Sequence, residues 1–298
     1  MDQAEGLREM VKTRVQDIGS GGKIHRRSAE KAPTRVISVT SGKGGVGKTN
    51  IVGNLAISFR RLGAKVLVLD GDLGLANIDI IFGLSPAHNI KHVVNGEKNL
   101  SDVIVRGPED IQIIPAGSGV QELVHLTQGQ KLNLLNEFDA LEEEFDVLLI
   151  DTGAGISSNV LYFSLAADER IVVATSEPTS ITDAYALIKV MYTRHGTNSF
   201  KLLVNMVDHE DEARAVFENL SNAIVRFLKG ISLEYVGFIP KDSNLAKAVR
   251  QQSTVTTRYP ESPSSRGFAE LAGRLMAAPS DTTQDGNIRF FWKKLITG

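Results

Sequence analysis

Apolar residues gather in seven short runs, at residues 35–40, 65–70, 111–115, 145–151, 170–175, 200–206 and 235–240. Most runs are continuous rather than alternating, the pattern of strands covered on both faces. Between them lie stretches with helical spacing, at 50–62, 129–144, 180–193, 210–228 and 264–276. The alternation predicts an α/β fold: a doubly wound, mostly parallel sheet with helices on both faces. In such a sheet, ligands bind beyond the carboxyl ends of the strands. No internal repeat is apparent.

The two ends fall outside this rhythm. Residues 1–34 are polar and charged, loosened by the glycines of the Gly19–Gly22 stretch, and predict a flexible arm. Residues 278–287 have linker composition. In the last segment, 288–298, Ile288, Phe291, Trp292, Leu295 and Ile296 share one helical face, with Arg289, Lys293 and Lys294 adding positive charge. That segment is too short to span a bilayer. It suits lying in the headgroup layer, or docking on the protein's own core. The expected organisation is therefore an arm at 1–34, an α/β domain at 35–277, a linker at 278–287 and an amphipathic helix at 288–298.

Composition narrows the function classes. The net charge of −2 gives no support to bulk electrostatic DNA binding. No apolar run approaches the ~20 residues of a membrane span, and no signal-peptide pattern opens the chain, so a cytoplasmic location is expected. The absence of cysteine excludes disulfides, thiolate zinc sites and cysteine-held iron–sulfur clusters. The histidines are His25, His88, His92, His125, His195 and His209. His88 and His92 stand four apart, but Pro86 and Asn89 predict a loop there. All six read as surface or packing residues.

The candidate chemistry sits between the first apolar run and the first helix. Gly42-Lys-Gly-Gly-Val-Gly-Lys-Thr49 is a phosphate-binding loop, G-x-x-x-x-G-K-[ST], in strand–loop–helix context. Gly44, Gly45, Val46, Gly47, Lys48, Thr49 and Asn50 would wrap a polyphosphate in backbone N–H groups. Lys48 would reach the terminal phosphates, and the Thr49 hydroxyl would bind Mg²⁺. The helix N-terminus adds a partial positive charge. Asp70-Gly-Asp72 ends the second run. Asp151 closes Phe145-Asp-Val-Leu-Leu-Ile-Asp151, a Walker B pattern whose carboxylate would hold Mg²⁺ directly or through water. No Asn-Lys-x-Asp guanine motif occurs, which favours ATP.

Lys43 fills a position that an ordinary phosphate loop leaves free. Lys43-Gly-Gly-Val-Gly-Lys-Thr49 resembles the loop of the deviant Walker ATPases, the ParA/MinD family. Iron–sulfur relatives share that loop but need cysteines this chain lacks. The resemblance implies that Lys43 crosses a dimer interface to the partner's nucleotide. It also implies that residues 70–79 form a first switch in which Asp72 positions the attacking water, and that Thr49, Asp72 and Asp151 make up the Mg²⁺ side. Asp151-Thr-Gly-Ala-Gly155 resembles the second switch, D-[TS]-[PA]-A-G, with Gly153 in place of Pro or Ala. Asn205 resembles the family's adenine-contacting asparagine, with Pro240 and Asp242 on the other side of the base.

Three stretches are more specific: Asp72 to Asp79, Ile114-Pro-Ala-Gly-Ser-Gly119, and the run from Glu177 to Lys189. They resemble the FlhG (FleN) family, MinD-type regulators of flagellar number and placement, over about residues 33 to 277. Asp2-Gln-Ala-Glu-Gly-Leu-Arg8 resembles the segment with which many members stimulate an FlhF-type GTPase. The resemblance implies an ATP-driven homodimer with slow, partner-stimulated hydrolysis, docked by its terminal helix on the cytoplasmic face of the inner membrane. Flagellar C-ring proteins and a transcription activator are the partners it suggests. A ParA-type DNA-partition ATPase, a MinD-type division-site ATPase and a non-hydrolysing adaptor are the alternatives.

Overall fold

The apolar runs become strands because their alternate residues meet two different helical layers. The computed structural model describes residues 33–72, 78–115, 127–139, 141 and 145–279. Its strands are β1 (Arg35–Ser41), β2 (Val66–Gly71), β3 (Val105–Arg106), β4 (Gln112–Ile114), β5 (Val147–Ala154), β6 (Glu169–Ala174), β7 (Ser199–Val207) and β8 (Ser232–Pro240). They form one sheet in the order β3-β4-β2-β5-β1-β6-β7-β8. Every pairing is parallel except the short antiparallel one between β3 and β4.

Ile37 and Val39, Val66 and Val68, and Val147 and Leu149 pack on one face. There they meet helices α1 (Lys48–Arg61) and α11 (Pro263–Ala277). Val36, Leu67, Leu69, Leu148 and Ile150 turn to the other face. That side is covered by α3 (Ile90–Val94), α4 (Leu100–Val103), α5 (Gln128–Asp139) and α6 (Ser158–Ala166). Further along it, α7 (Pro178–His195) and α8 (Glu210–Phe227) cover Val172, Ala174, Leu202 and Val204. The described residues also include three short α-helices, α2 (Ile78–Phe82), α9 (Ser243–Arg250) and α10 (Val255–Arg258). Two-sided coverage explains why the runs lack alternation: both pleat faces are dry.

Several boundaries differ from the sequence expectation. The 111–115 run shrinks to three strand residues, and the 145–151 run begins at Val147 and extends to Ala154. Helix α6, Ser-Asn-Val-Leu-Tyr-Phe-Ser-Leu-Ala, was not foreseen, because it is apolar around most of its girth and carries no amphipathic period. The expected loop around His88 and His92 is corrected to a helix start. Asn89 caps α3, accepting from Lys91 N at 3.1 Å, and the His92 ring takes the Asn89 N–H at 3.2 Å. His209 likewise caps α8 through Glu212 N. Both histidines are local packing devices.

Thr34 belongs to the domain rather than the arm. It is buried, and its hydroxyl donates to the Phe145 carbonyl at 2.7 Å. Residues 1–32, most of the linker and the terminal amphipathic segment lie outside the described residues, as do His25 and His125.

An ion network closes the amino ends of the strands. Glu169, fully buried, accepts from Arg35 at 2.6 Å and lies 3.6 Å from Lys201, which pairs with Glu234 at 2.8 Å. Arg35 also donates to the Leu275 and Ala278 carbonyls at the end of α11.

Candidate functional site

Strand β1 leads directly into the phosphate loop, and α1 leads out of it. Gly45 and Gly47 have φ of +80° and +90°, backbone that side-chain-bearing residues rarely adopt. A Cβ on Gly47 would also sit 2.6 Å from Asn205 Nδ2. Helix α1 has no side-chain cap and no acidic residue in its first turn. Its N-terminal N–H groups are thus available for an anion.

Lys48, the first residue of α1, is buried, and its ammonium donates to Ser41 Oγ at 3.1 Å. Burial lowers its pKa, although Asp151 and Asp72 pull it back up. Asp151, at the end of β5, is 1% exposed. Burial and neighbouring Asp70 push its carboxyl up to about 8, against the opposing pull of Thr49 and Lys48. Neither of its oxygens has a hydrogen-bond partner of good geometry. A buried carboxylate left without such partners beside a lysine and a threonine hydroxyl fits a cation site. Asp70 acts on the backbone instead. Its oxygens accept from Asp72 N at 3.1 Å and Ile78 N at 3.4 Å.

The second acidic turn is tied to β1. Thr152 Oγ1 donates to the Val39 carbonyl at 3.0 Å, and Gly155 N to the Ser41 carbonyl at 2.9 Å. Gly153 leaves space beside the other carboxylate: a Cβ there would stand 3.5 Å from Asp72 Oδ1. Residues 73–77 of the expected first switch lie outside the described residues. Lys43, on the outer rim of the loop, pairs with Glu177 at 2.5 Å and donates to Thr179 Oγ1 at 3.0 Å. Glu177 is the N-cap residue of α7.

Next to the loop is a cavity of about 310 Å³, whose lining includes Gly47, Ile51, Asn205, Met206, Pro240 and Phe268. Its lining is mostly apolar, as for a nucleotide base. Asn205 Nδ2 donates to the Val46 carbonyl at 2.7 Å, which fixes the side-chain amide. Asp242 borders the cavity with both oxygens engaged. One caps α9 through Asn244 N at 2.8 Å; the other accepts from Ser264 Oγ at 2.7 Å.

A family model described as an AAA domain matches residues 34–202. The antiactivator FleN of Pseudomonas aeruginosa is 43% identical over 264 residues, covering 89% of this chain and 94% of that protein. The flagellum site-determining protein YlxH of Helicobacter pylori is 34% identical over 270 residues, covering 89% and 91%. The chain belongs to the FleN/FlhG family of MinD/ParA-type ATPases. Among solved structures, the MinC:MinD cell division complex of Aquifex aeolicus matches with a TM-score of 0.68 at 25% identity, covering 85% of this chain and all of that one.

In this FleN/FlhG-family chain, the structure brings Lys48, Thr49, Asp72 and Asp151 together at one sheet edge, with Asn205 and Pro240 a short way along it. Lys43 stands apart from that cluster, turned toward α7. Sequence reasoning missed three participants. Glu177 and Thr179 appeared only inside a resembling stretch, and their contact with Lys43 depends on α7 crossing the loop. Met206 carried no signal, since its φ of +60° is invisible in a sequence.

Proposed function

We propose that this chain is an ATP-dependent dimerising switch that regulates the number and placement of bacterial flagella at the inner membrane. The observation that carries it is the pairing of a complete phosphate loop with a second, rim lysine, Lys43, in a chain 43% identical to an antiactivator FleN. ATP is the favoured nucleotide. With Asn205 Nδ2 committed to the Val46 carbonyl, its Oδ1 is left as an acceptor, which suits the amino group of adenine and repels the carbonyl of guanine.

Loop N–H groups and Lys48 hold the phosphates, and Thr49, Asp72 and Asp151 form the metal side. Mg²⁺, when bound, neutralises charge on the phosphate oxygens. Asp72 orients the water that attacks the γ-phosphate, so hydrolysis rests on positioning and charge neutralisation. Turnover is slow until a partner stimulates it. Two protomers close face to face, and Lys43 then serves the partner's nucleotide.

The two ends of the chain carry the remaining roles. Residues 2–8 stimulate an FlhF-type GTPase. The apolar face from Ile288 to Ile296 places the protein on the cytoplasmic face of the inner membrane, where flagellar C-ring proteins and a transcription activator are partners. Among the described residues no helix is long and apolar enough to cross a membrane. One short amphipathic helix binds marginally, while two in a dimer gain avidity of about 10²–10⁴-fold. Membrane binding therefore follows ATP.

Co-sedimentation of the full chain with anionic liposomes tests this. Binding is expected in ATP and not in ADP, and a Phe291→Glu, Trp292→Glu double variant should lose it while still dimerising. Equal sedimentation in both nucleotides would reject the switch. Salt-sensitive DNA binding by the ATP form would favour the ParA-type reading instead.

A further inference from the structure

Met206 occupies a costly backbone conformation at the mouth of the base cavity. Its φ is +60°, in the left-handed region that long side chains avoid. The cause lies in the β7–β8 pairing. Asn205 pairs with Ile239 and Val207 with Pro240, so Met206 is an extra residue on β7, a bulge at the carboxyl end of the strand. Such bulges re-aim side chains next to binding sites. Here Met206 remains 44% exposed although both its neighbours, Asn205 and Val207, are buried.

The bulge delivers that side chain to a particular place. Met206 lines the same cavity as Asn205, Ile51, Pro240 and Leu245. Its methyl carbon approaches the phosphate loop closely, to 3.3 Å from where a Cβ on Gly47 would be. A glycine or asparagine would take this backbone with less strain. Strain of this kind persists where the surroundings over-determine it, and it clusters at ligand clamps.

We propose that Met206 is a base-positioning residue: its thioether packs against the ring face of the bound nucleotide base and sets the base relative to the phosphate loop. The proposal rests on the ATP reading of the site. Two properties of the side chain suit the role. Sulfur makes favourable contacts with aromatic rings, and an unbranched chain adapts to a flat ligand. Asn205 reads the base edge with a fixed amide, so a separate group is needed to hold the ring face.

Calorimetry on the full chain tests the assignment, with ATP, ADP and inorganic tripolyphosphate as probes. Met206→Ala removes the side chain and keeps the strain. It should weaken ATP and ADP alike by roughly three- to tenfold, the worth of one sulfur–ring contact. Tripolyphosphate, which has no base, should bind as in the wild type. Met206→Gly relieves the strain and guards against misfolding; it should show the same loss for ATP and ADP. Unchanged ATP affinity in both variants overturns the proposal. A parallel loss of tripolyphosphate affinity also overturns it, since the residue would then act on the loop alone. Wild-type protein that binds tripolyphosphate but gains nothing from the adenosine of ATP would overturn the ATP reading itself, and the proposal with it.

Discussion

Lys43 and Glu177 form an ion pair at 2.5 Å, joining the rim of the phosphate loop to the start of α7. The lysine assigned by family resemblance to a partner's nucleotide is thus held by its own chain. The pair is largely exposed, with 37% of the lysine side chain and 63% of the glutamate side chain accessible. Exposed pairs contribute about 0–1 kcal/mol, so a nucleotide phosphate can compete for the ammonium at little cost.

Breaking the pair from either side should have opposite effects. Glu177→Gln frees Lys43 and should shift the monomer–dimer balance toward dimer in ATP and Mg²⁺. Lys43→Ala should bind ATP with near-normal affinity yet dimerise poorly. Size-exclusion chromatography coupled to light scattering reads both. A fully dimeric Lys43→Ala protein would remove the lysine from the interface.

Grip and turnover should separate at Lys48 and Asp72. Lys48 is buried against Ser41 and faces the two carboxylates, so Lys48→Ala removes the cation that neutralises phosphate charge. ATP affinity should fall by at least ~2 kcal/mol, the scale of charge-assisted hydrogen bonds. Asp72→Ala should retain ATP and accumulate as a dimer, because this residue acts on water. Calorimetry and single-turnover hydrolysis distinguish them; rapid hydrolysis by the Asp72 variant would exclude its role.

Asp242 gives a pH signature away from the phosphates. Burial pushes its pKa up, but hydrogen bonds from Ser264, Asn244 and Ser262 prevail and hold it below the ordinary carboxylate value. A depressed carboxyl stabilises the fold above its unfolded pKa of about 4, and that stability is lost as pH falls through the lower folded value. Wild type should therefore exceed Asp242→Asn in thermal stability at pH 7, by about 1 kcal/mol, because an amide keeps the cap but offers only one acceptor oxygen and loses the Ser264 hydrogen bonds. The gap should shrink below about pH 4. A gap that widens on acidification would contradict the assignment.

How much of this was legible beforehand divides along physical lines. The phosphate loop and Asp151 were readable because their chemistry is local: glycines, a lysine and a strand-end carboxylate in fixed order. The parallel sheet was readable because dry strand segments such as Val147–Ile150 leave unbroken apolar runs. Short helices such as Ile90–Val94 were not, since five residues hold little more than one turn of periodicity and the cap at Asn89 mimics a loop. Asp242 looked like a base contact, and only the fold reveals that Ser264, 22 residues away, occupies one of its oxygens. Met206 and Glu177 depend on a bulge and on a helix crossing, neither of which is written in any single segment.

Asp151 should trade stability against function. Its carboxylate is buried at the carboxyl end of β5 with no well-formed hydrogen bond to either oxygen, and Asp70 and Asp72 are close enough to add like charge. In the cation-free protein that is a cost, because burial and the neighbouring carboxylates outweigh the pull of Thr49 and Lys48 and raise the carboxyl to about 8. Asp151→Asn keeps the shape and removes the ionisable group whose pKa the fold must raise, so at pH 7 the nucleotide-free variant should melt several degrees higher than wild type, about 1–3 kcal/mol more stable. The same change should abolish the extra stabilisation that wild type gains from ATP with Mg²⁺ over ATP with a chelator, and hydrolysis should fall with it. Differential scanning calorimetry in three conditions, without nucleotide, with ATP and chelator, and with ATP and Mg²⁺, reads each step. A variant that melts lower than wild type without nucleotide would mean that the carboxylate is satisfied within the fold. One that keeps the full Mg²⁺ increment would take Asp151 out of the metal side and leave that role to Thr49 and Asp72.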